Sequence, residues 1–155
     1  MVSPELLRRY PFFSVFDDRE LNEVAMAARE LNVDAGTIIF DADQPATELF
    51  LLLEGGIELA IVAADRHGQG VRQLHPAGDV NIGDIAGISA LIAPCIYTAS
   101  GRATEPSRLI AIDAALLRGL CADDVRLDAA LMHAVSQEAM RRLHDARVQL
   151  MAARN

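Results

Sequence analysis

A long segment near the C-terminus, from about Asp123 to Ala153, constrains the fold most because it contains neither glycine nor proline. Small and apolar residues recur along it in alternating steps of four and three positions, the spacing of the a and d positions of paired helices. The series begins at Val125 and Ala129 and continues through six residues that we call the dimer seam: Met132, Ser136, Ala139, Leu143, Ala146 and Leu150. The pattern predicts one long helix that pairs with a second copy of itself, and the small residues would allow close approach.

A second apolar stripe, formed by Leu127, Leu131 and Ala134, runs along only the first half of this segment. We expect this stripe to pack on the chain's own domain. The stretch from Leu143 to Leu150 lies beyond its reach, which favours a homodimer over the alternative of a helix wholly buried on its own domain.

Between residues 33 and 113 the pattern changes to short apolar runs separated by glycine, proline and acidic turn residues. The predicted strands are 37–40, 49–53, 57–62, 71–74, 97–104 and 109–112, with a loop at 65–70 and a short helix at 85–92. Many short strands joined by tight turns predict an antiparallel β-roll, which is jelly-roll-like and is also described as a double-stranded β-helix.

The segments on either side of the roll carry helical signals. Asp17 followed by Glu20 has the spacing of a capping box, and apolar residues then recur at helical spacing as far as Ala28. Asp113 is placed to cap a helix over 114–120. The sequence therefore predicts one α+β domain over 1–155, with an N-terminal helical part (1–32), a β-roll (33–113) and C-terminal helices (114–155).

Composition narrows the possible functions. The net charge of −8 and the lack of any basic run beyond the pairs Arg8-Arg9 and Arg141-Arg142 argue against nucleic-acid binding by this domain. The sequence has no apolar run long enough to span a membrane and no secretory signal pattern, so we expect a cytoplasmic protein. The two cysteines are far apart, and the four histidines form no closely spaced pair, so no metal site, cofactor or catalytic group is expected and the chain is not predicted to be an enzyme.

Three motifs in the chain resemble the cyclic-nucleotide-binding domains of catabolite-activator and FNR-type regulators. These motifs are 11–13 with Glu20-Leu21, the strand 36–40, and the hairpin segment 50–57. The resemblance covers almost the whole chain, and it implies a β-roll that binds a ligand and a long helix that transmits the signal.

The ligand cassette of that family reads Gly-Asp-x-Phe-Gly-Glu-x-Ala-Leu, followed by Pro-Arg-Ser/Thr-Ala. This sequence can be aligned with the cassette in two registers. In the first register, segment 82–86 matches Phe-Gly-Glu-x-Ala and Asp84 takes the glutamate position. In the second register, segment 83–88 matches Gly-Asp-x-Phe-Gly-Glu and Ile88 takes the glutamate position. Both registers place Tyr97 where the family's phosphate-binding arginine stands, and Arg102 is expected on the opposite strand face. The pocket implied by the resemblance has these residues: Gly83, Asp84, Ala86, Gly87, Ile88, Tyr97 and Thr98.

Because tyrosine cannot neutralise a phosphate, we expect a regulatory or sensory dimerisation module without ordinary cyclic AMP binding. Its partners would be a second copy of the chain and a small-molecule effector or a protein. Two alternatives remain open at this point. The chain could be the ligand-sensing domain of a transcription regulator without its DNA-binding part, or a protein-interaction scaffold.

Overall fold

Two four-stranded antiparallel sheets form the centre of the computed structural model, which describes residues 2–62 and 74–154. The elements follow in this order: α1 (Pro4–Arg8), a first 3-10 helix (Pro11–Val15), α2 (Asp18–Met26), β1 (Ala28–Val33), β2 (Ile38–Phe40), β3 (Glu48–Glu54), β4 (Ile57–Val62), β5 (Leu74–Val80), β6 (Ile85–Ala86), a second 3-10 helix (Ile88–Leu91), β7 (Ser100–Ala103), β8 (Ser107–Asp113), α3 (Ala114–Asp123) and α4 (Val125–Arg154). The first sheet has the order β1-β8-β3-β6, and the second has the order β2-β7-β4-β5. This is the α+β roll with flanking helices that the sequence predicts.

The core lies between the two sheets and under the helices. Strand β3 is apolar and buried at five consecutive positions, 49–53, because its sheet is covered on both faces. On one face the ring of Phe50 stacks on Phe40 of the second sheet, with the ring centroids 5.5 Å apart. On the other face β3 contacts α3, and its neighbour β8 contacts α2.

Both predicted helix caps are confirmed. The Glu20 backbone N–H donates to Asp17 Oδ1 at 2.8 Å, and the Asp17 backbone N–H donates to Glu20 Oε1 at 2.9 Å, which completes a capping box at the start of α2. The Ala115 backbone N–H donates to Asp113 Oδ1 at 3.1 Å at the start of α3. Local side-chain chemistry therefore defines where these two helices begin.

The boundary between the N-terminal helical part (1–32) and the β-roll (33–113) lies earlier in the structure than predicted. Helix α2 stops at Met26, and residues 28–33 form β1, which pairs with β8 from Ala28 opposite Ile112 to Val33 opposite Ser107. The apolar spacing that ends at Ala28 is compatible with a helix. The segment forms a strand instead, because pairing with the distant strand β8 provides hydrogen-bond partners for its backbone N–H and C=O groups.

Two elements of the irregular region also differ from the predictions. The expected helix over 85–92 is the two-residue strand β6, which pairs with β3, followed by the short second 3-10 helix. The expected strand over 97–104 starts only at Ser100. The expected loop 65–70 and most of the expected strand 71–74 fall on residues 63–73, outside the described residues, and Leu74 is the first residue of β5.

Helix α4 packs on the domain through its first half, as the second apolar stripe predicts. Leu127 and Leu131 are fully buried and Ala134 is partly buried, while Val135 and Glu138 continue the buried face. Within the described residues, no helix combines the length and apolar character needed to cross a membrane.

We expect Gly55→Ala to destabilise the fold strongly, because Gly55 lies in the left-handed region with φ +93° in the turn between β3 and β4. An added Cβ would lie 2.6 Å from the Pro106 carbonyl oxygen and 2.7 Å from Ser107 Cα, both backbone atoms that cannot rotate away. The free energy of unfolding, measured by urea titration, should fall by about 3 kcal/mol or more.

Gly36→Ala is the matched control. Gly36 has a similar φ of +88° but nothing within 4 Å of the added Cβ, so this variant should lose only about 1 kcal/mol. Equal losses in the two variants would contradict the steric argument.

Candidate ligand-binding site

A cavity of about 370 Å³, which we call the inner cavity, lies between the second sheet, the segment 85–89 and α4. It is lined by Phe40, Leu59, Ile61, Ala77, Ile85, Ala86, Gly87, Ile88, Ser89, Thr98, Ala99, Ala139, Arg142, Leu143 and Ala146. Most of this wall is apolar. Among the described residues that line it, Arg142 is the one charged side chain and Ser89 and Thr98 carry the hydroxyl groups.

The predicted pocket residues do not all line the same cavity in the structure. Ala86, Gly87, Ile88 and Thr98 line the inner cavity. Gly83 and Asp84 instead line a second cavity of about 390 Å³, which we call the outer cavity. The outer cavity lies between the first 3-10 helix and α4, where it is also lined by Phe12 and Arg141 among others.

Tyr97, which the sequence resemblance assigns to the arginine position, is a buried core residue and is not among the residues that line either cavity. Its hydroxyl donates to the Glu48 carbonyl oxygen at 2.7 Å and accepts from the Glu48 backbone N–H at 3.2 Å. Its ring packs on Phe40, with the centroids 4.8 Å apart. Burial raises the pKa of Tyr97, so the phenol stays neutral.

Gly87 is the N-cap of the second 3-10 helix and has φ +82°. A Cβ at this position would approach both Tyr97 Cε1 and the Glu48 carbonyl oxygen to 3.2 Å. The turn that would present the cassette therefore packs directly on the Tyr97–Glu48 contact, and glycine allows this close approach.

Neither register of the cassette brings an acidic group to the inner cavity within the described part of the chain. In the first register the acid is Asp84, whose Oδ1 lies 3.4 Å from Arg141 Nη1 at the outer cavity. In the second register the corresponding residue is Ile88, whose side chain is apolar. Arg102 pairs with Glu58 at 2.9 Å on the neighbouring strand β4.

A charge cluster on α4, which sequence reasoning missed, lies between the two cavities. The Glu138 side chain is only 7% exposed and contacts both arginines that follow it, with its Oε1 lying 2.6 Å from Arg142 Nη2. Arg142 also donates to the Asp79 carbonyl oxygen at 3.0 Å and to the Ile85 carbonyl oxygen at 2.8 Å. The spacing of Glu138 from Arg141 and Arg142, three and four positions, is the one signal in the sequence that could have indicated this cluster.

The six dimer-seam residues are exposed or partly buried along one side of α4. Leu143 is 42% exposed and Leu150 is 55% exposed. Three seam residues, Ala139, Leu143 and Ala146, also line the inner cavity. The face of α4 that the sequence assigns to pairing thus adjoins the candidate ligand site.

Three carboxylates, those of Asp17, Glu20 and Asp124, come within 4.8 Å of one another at the start of α2 and of α4. Asp17 caps α2, and Asp124 Oδ1 accepts from the Leu127 backbone N–H at 3.2 Å. The Arg126 guanidinium pairs with Glu20 at 2.9 Å and with Asp124 at 3.2 Å. Helix capping and one arginine engage Asp17, Asp124 and Oε1 of Glu20, and the positive ends of two helices disfavour a bound cation there.

We expect Glu138→Gln to lower the free energy of unfolding by about 3 kcal/mol, because it leaves the Arg142 guanidinium, which is only 16% exposed, without its carboxylate partner. Chemical denaturation at low ionic strength is the measurement. Glu23→Gln is the control, since Glu23 forms an exposed pair with Arg19 at 2.8 Å and should lose about 0.5 kcal/mol or less. Similar losses of stability in both variants would show that the buried cluster stabilises the fold no more than an exposed ion pair does.

Comparison with known proteins identifies the family. Residues 30–124 match the model of the family described as cyclic nucleotide-binding domain. A Geobacter metallireducens protein named for cyclic nucleotide binding is 37% identical, with 93% of this chain and 100% of that chain covered and a TM-score of 0.79. The sensor domain of the transcriptional regulator DNR from Pseudomonas aeruginosa is 22% identical, with 88% and 92% covered and a TM-score of 0.70.

A curated relative, a Rhodopseudomonas palustris protein named as a potassium channel protein, is 24% identical over 122 residues. The match covers 79% of this chain and 28% of that protein, so the chain corresponds to a minor part of this relative. The family match covers more than half of the chain, and the Geobacter metallireducens structure shares its fold. The chain therefore belongs to the cyclic nucleotide-binding domain family.

Proposed function

We propose that this chain is a sensory and regulatory module of cyclic-nucleotide-binding type that forms a homodimer through α4 and does not bind cyclic AMP in the ordinary way. The observation that carries the proposal is the position of Tyr97. In the place of the arginine expected to hold the phosphate, this side chain is buried and bound to the main chain of Glu48.

Two other arginines that the structure describes near the roll, Arg102 and Arg142, do not replace the missing group. Arg102 is paired with Glu58, and Arg142 is occupied by Glu138 and two main-chain carbonyl oxygens. A cyclic phosphate entering the inner cavity would therefore bring a negative charge that no available cation among the described lining residues balances. Loss of a charged, bidentate partner costs roughly a hundredfold or more in affinity.

The argument for a dimer rests on the second half of α4. The helix has 30 residues and is therefore about 45 Å long, yet the last of its buried residues is Glu138. Leu143, Leu150 and the small residues between them remain exposed on one side, at the spacing of a paired helix. A second copy of α4 would cover these residues.

The same surface suggests how a signal would be transmitted. Because Ala139, Leu143 and Ala146 belong both to the wall of the inner cavity and to the dimer seam, occupation of the cavity would change the helix that pairs. By thermodynamic linkage, dimerisation would change ligand affinity by the same factor. The likeness to the DNR sensor domain is compatible with a second candidate, the sensing part of a transcription regulator.

We expect cyclic AMP and cyclic GMP at about 1 mM to raise the melting temperature by less than about 1 °C in a thermal-shift experiment. A ligand at a hundred times its dissociation constant would add about 2.7 kcal/mol and shift the melting temperature by several degrees. Isothermal titration calorimetry with the same nucleotides is the second measurement. Saturable binding with a micromolar dissociation constant would contradict our interpretation of Tyr97.

We expect Leu150→Glu to weaken the dimer by about a hundredfold, because it would place two like charges in an apolar helix pair. Analytical ultracentrifugation over a range of protein concentrations measures the effect. Val148→Glu is the matched control, since Val148 is 54% exposed, as Leu150 is, but lies off the seam and should leave the dimer intact. A wild-type monomer at tens of micromolar, or equal weakening by both variants, would refute pairing through this seam.

A further inference from the structure

The inner cavity differs in chemistry from a site for a charged ligand, and its wall indicates what it can hold. We propose that it binds a small, uncharged and largely apolar molecule that carries one or two hydrogen-bonding groups. The inference rests on the proposed function, in which this cavity is the ligand site, and it adds the chemical class of the ligand.

The size and apolar wall of the cavity support the first part of the proposal. Its volume of about 370 Å³ lies within the range of small-molecule sites. Phe40, Leu59, Ile85, Ile88 and Leu143 supply large apolar surfaces on several sides. An engineered apolar cavity of about 150 Å³ is known to bind benzene, so a larger apolar cavity has room for a bicyclic ring.

The charge balance at Arg142 explains why the molecule should be uncharged. Arg142 is 16% exposed and already contacts Glu138, while Arg141 contacts both Glu138 and Asp84. The cluster thus holds two guanidinium groups and two carboxylates, and its formal charges cancel. An anion in the cavity would have to break the contact between Arg142 and Glu138 and leave that buried carboxylate short of a partner. A cation would face the Arg142 guanidinium in apolar surroundings.

The hydroxyl groups supply the polar contacts. Within the described part of the chain, the side chains of Ser89 and Thr98 have no hydrogen-bond partner, although both residues line the cavity. A hydroxyl can donate one hydrogen bond and also accept. Two such groups on an apolar wall fit a ligand with a single N–H, hydroxyl or carbonyl group.

The test compares indole with indole-3-carboxylate, which have the same ring system but differ by one negative charge. We expect indole to bind at least tenfold more tightly than indole-3-carboxylate in titrations followed by methyl NMR. The methyl resonances of Leu59, Ile88 and Leu143 should shift together, while those of Leu109 and Ile112 in the first sheet should not. Equal or tighter binding of the carboxylate, no binding of indole, or shifts confined to other methyl groups would each overturn the proposal.

Two variants that fill the cavity provide an independent check. Ala99→Phe and Ala77→Leu add volume to partly buried wall positions on different segments, so one variant can serve if the other fails to fold. Each should weaken indole binding at least tenfold, whereas Ala115→Phe on the exposed surface of α3 should leave it unchanged. If every cavity-filling variant that folds still binds indole as tightly as the wild type, the inner cavity is not the binding site.

Parallel titrations keep this inference distinct from the proposed function. Cyclic AMP binding would refute the proposed function whatever indole does. If indole fails while the protein still dimerises and still ignores cyclic AMP, the ligand class proposed here falls and the proposed function remains.

Discussion

The pairing of β3 with β8 at the centre of the first sheet is the interaction on which the rest of the structure depends. Both strands are almost continuously apolar, and β1 and β6 add to their outer edges. Where the pair begins, Glu48 lies opposite Asp113. Asp113 caps α3, and the main chain of Glu48 holds the Tyr97 hydroxyl. One end of this strand pair therefore positions both the helix that leads to α4 and Tyr97, the residue on which the proposed function rests.

A second constraint attaches α4 to the roll. Arg142 binds carbonyl oxygens from β5 and β6, and its charge is balanced by Glu138 one turn earlier on the same helix. The planar guanidinium suits this task, because it can donate in several directions at once. Since Ile85 lies in β6, which pairs with β3, the position of α4 depends in turn on the central strand pair. The wall of the inner cavity is consequently set by main-chain geometry as well as by its apolar side chains.

Sequence reasoning succeeds here where the signal is local and misses what depends on distant contacts. The capping box at Asp17 and Glu20, the cap at Asp113 and the apolar run of β3 are readable because each is complete within a few residues. Strand β1 and the two-residue β6 exist through pairing with β8 and β3, respectively, which no local pattern reveals. The position of Tyr97 in the cassette stays a prediction from the motif, and its hydrogen bonds to Glu48 depend on the folded sheet.

A tyrosine at the position where the resemblance implies an arginine would change more than one contact. An arginine that holds a phosphate must have its charge available to the ligand, whereas the neutral phenol of Tyr97 satisfies its hydrogen bonds within the protein and packs beneath Gly87. The cavity above it then has an apolar wall whose one cation, among the described residues that line it, is already paired. A ligand for such a cavity gains affinity mainly by burying apolar surface, and the hydrophobic effect that drives this burial has no directional requirement. Since Leu143 and Ala146 extend that apolar surface to the exposed side of α4, changes in the cavity can reach the proposed dimer seam through packing alone.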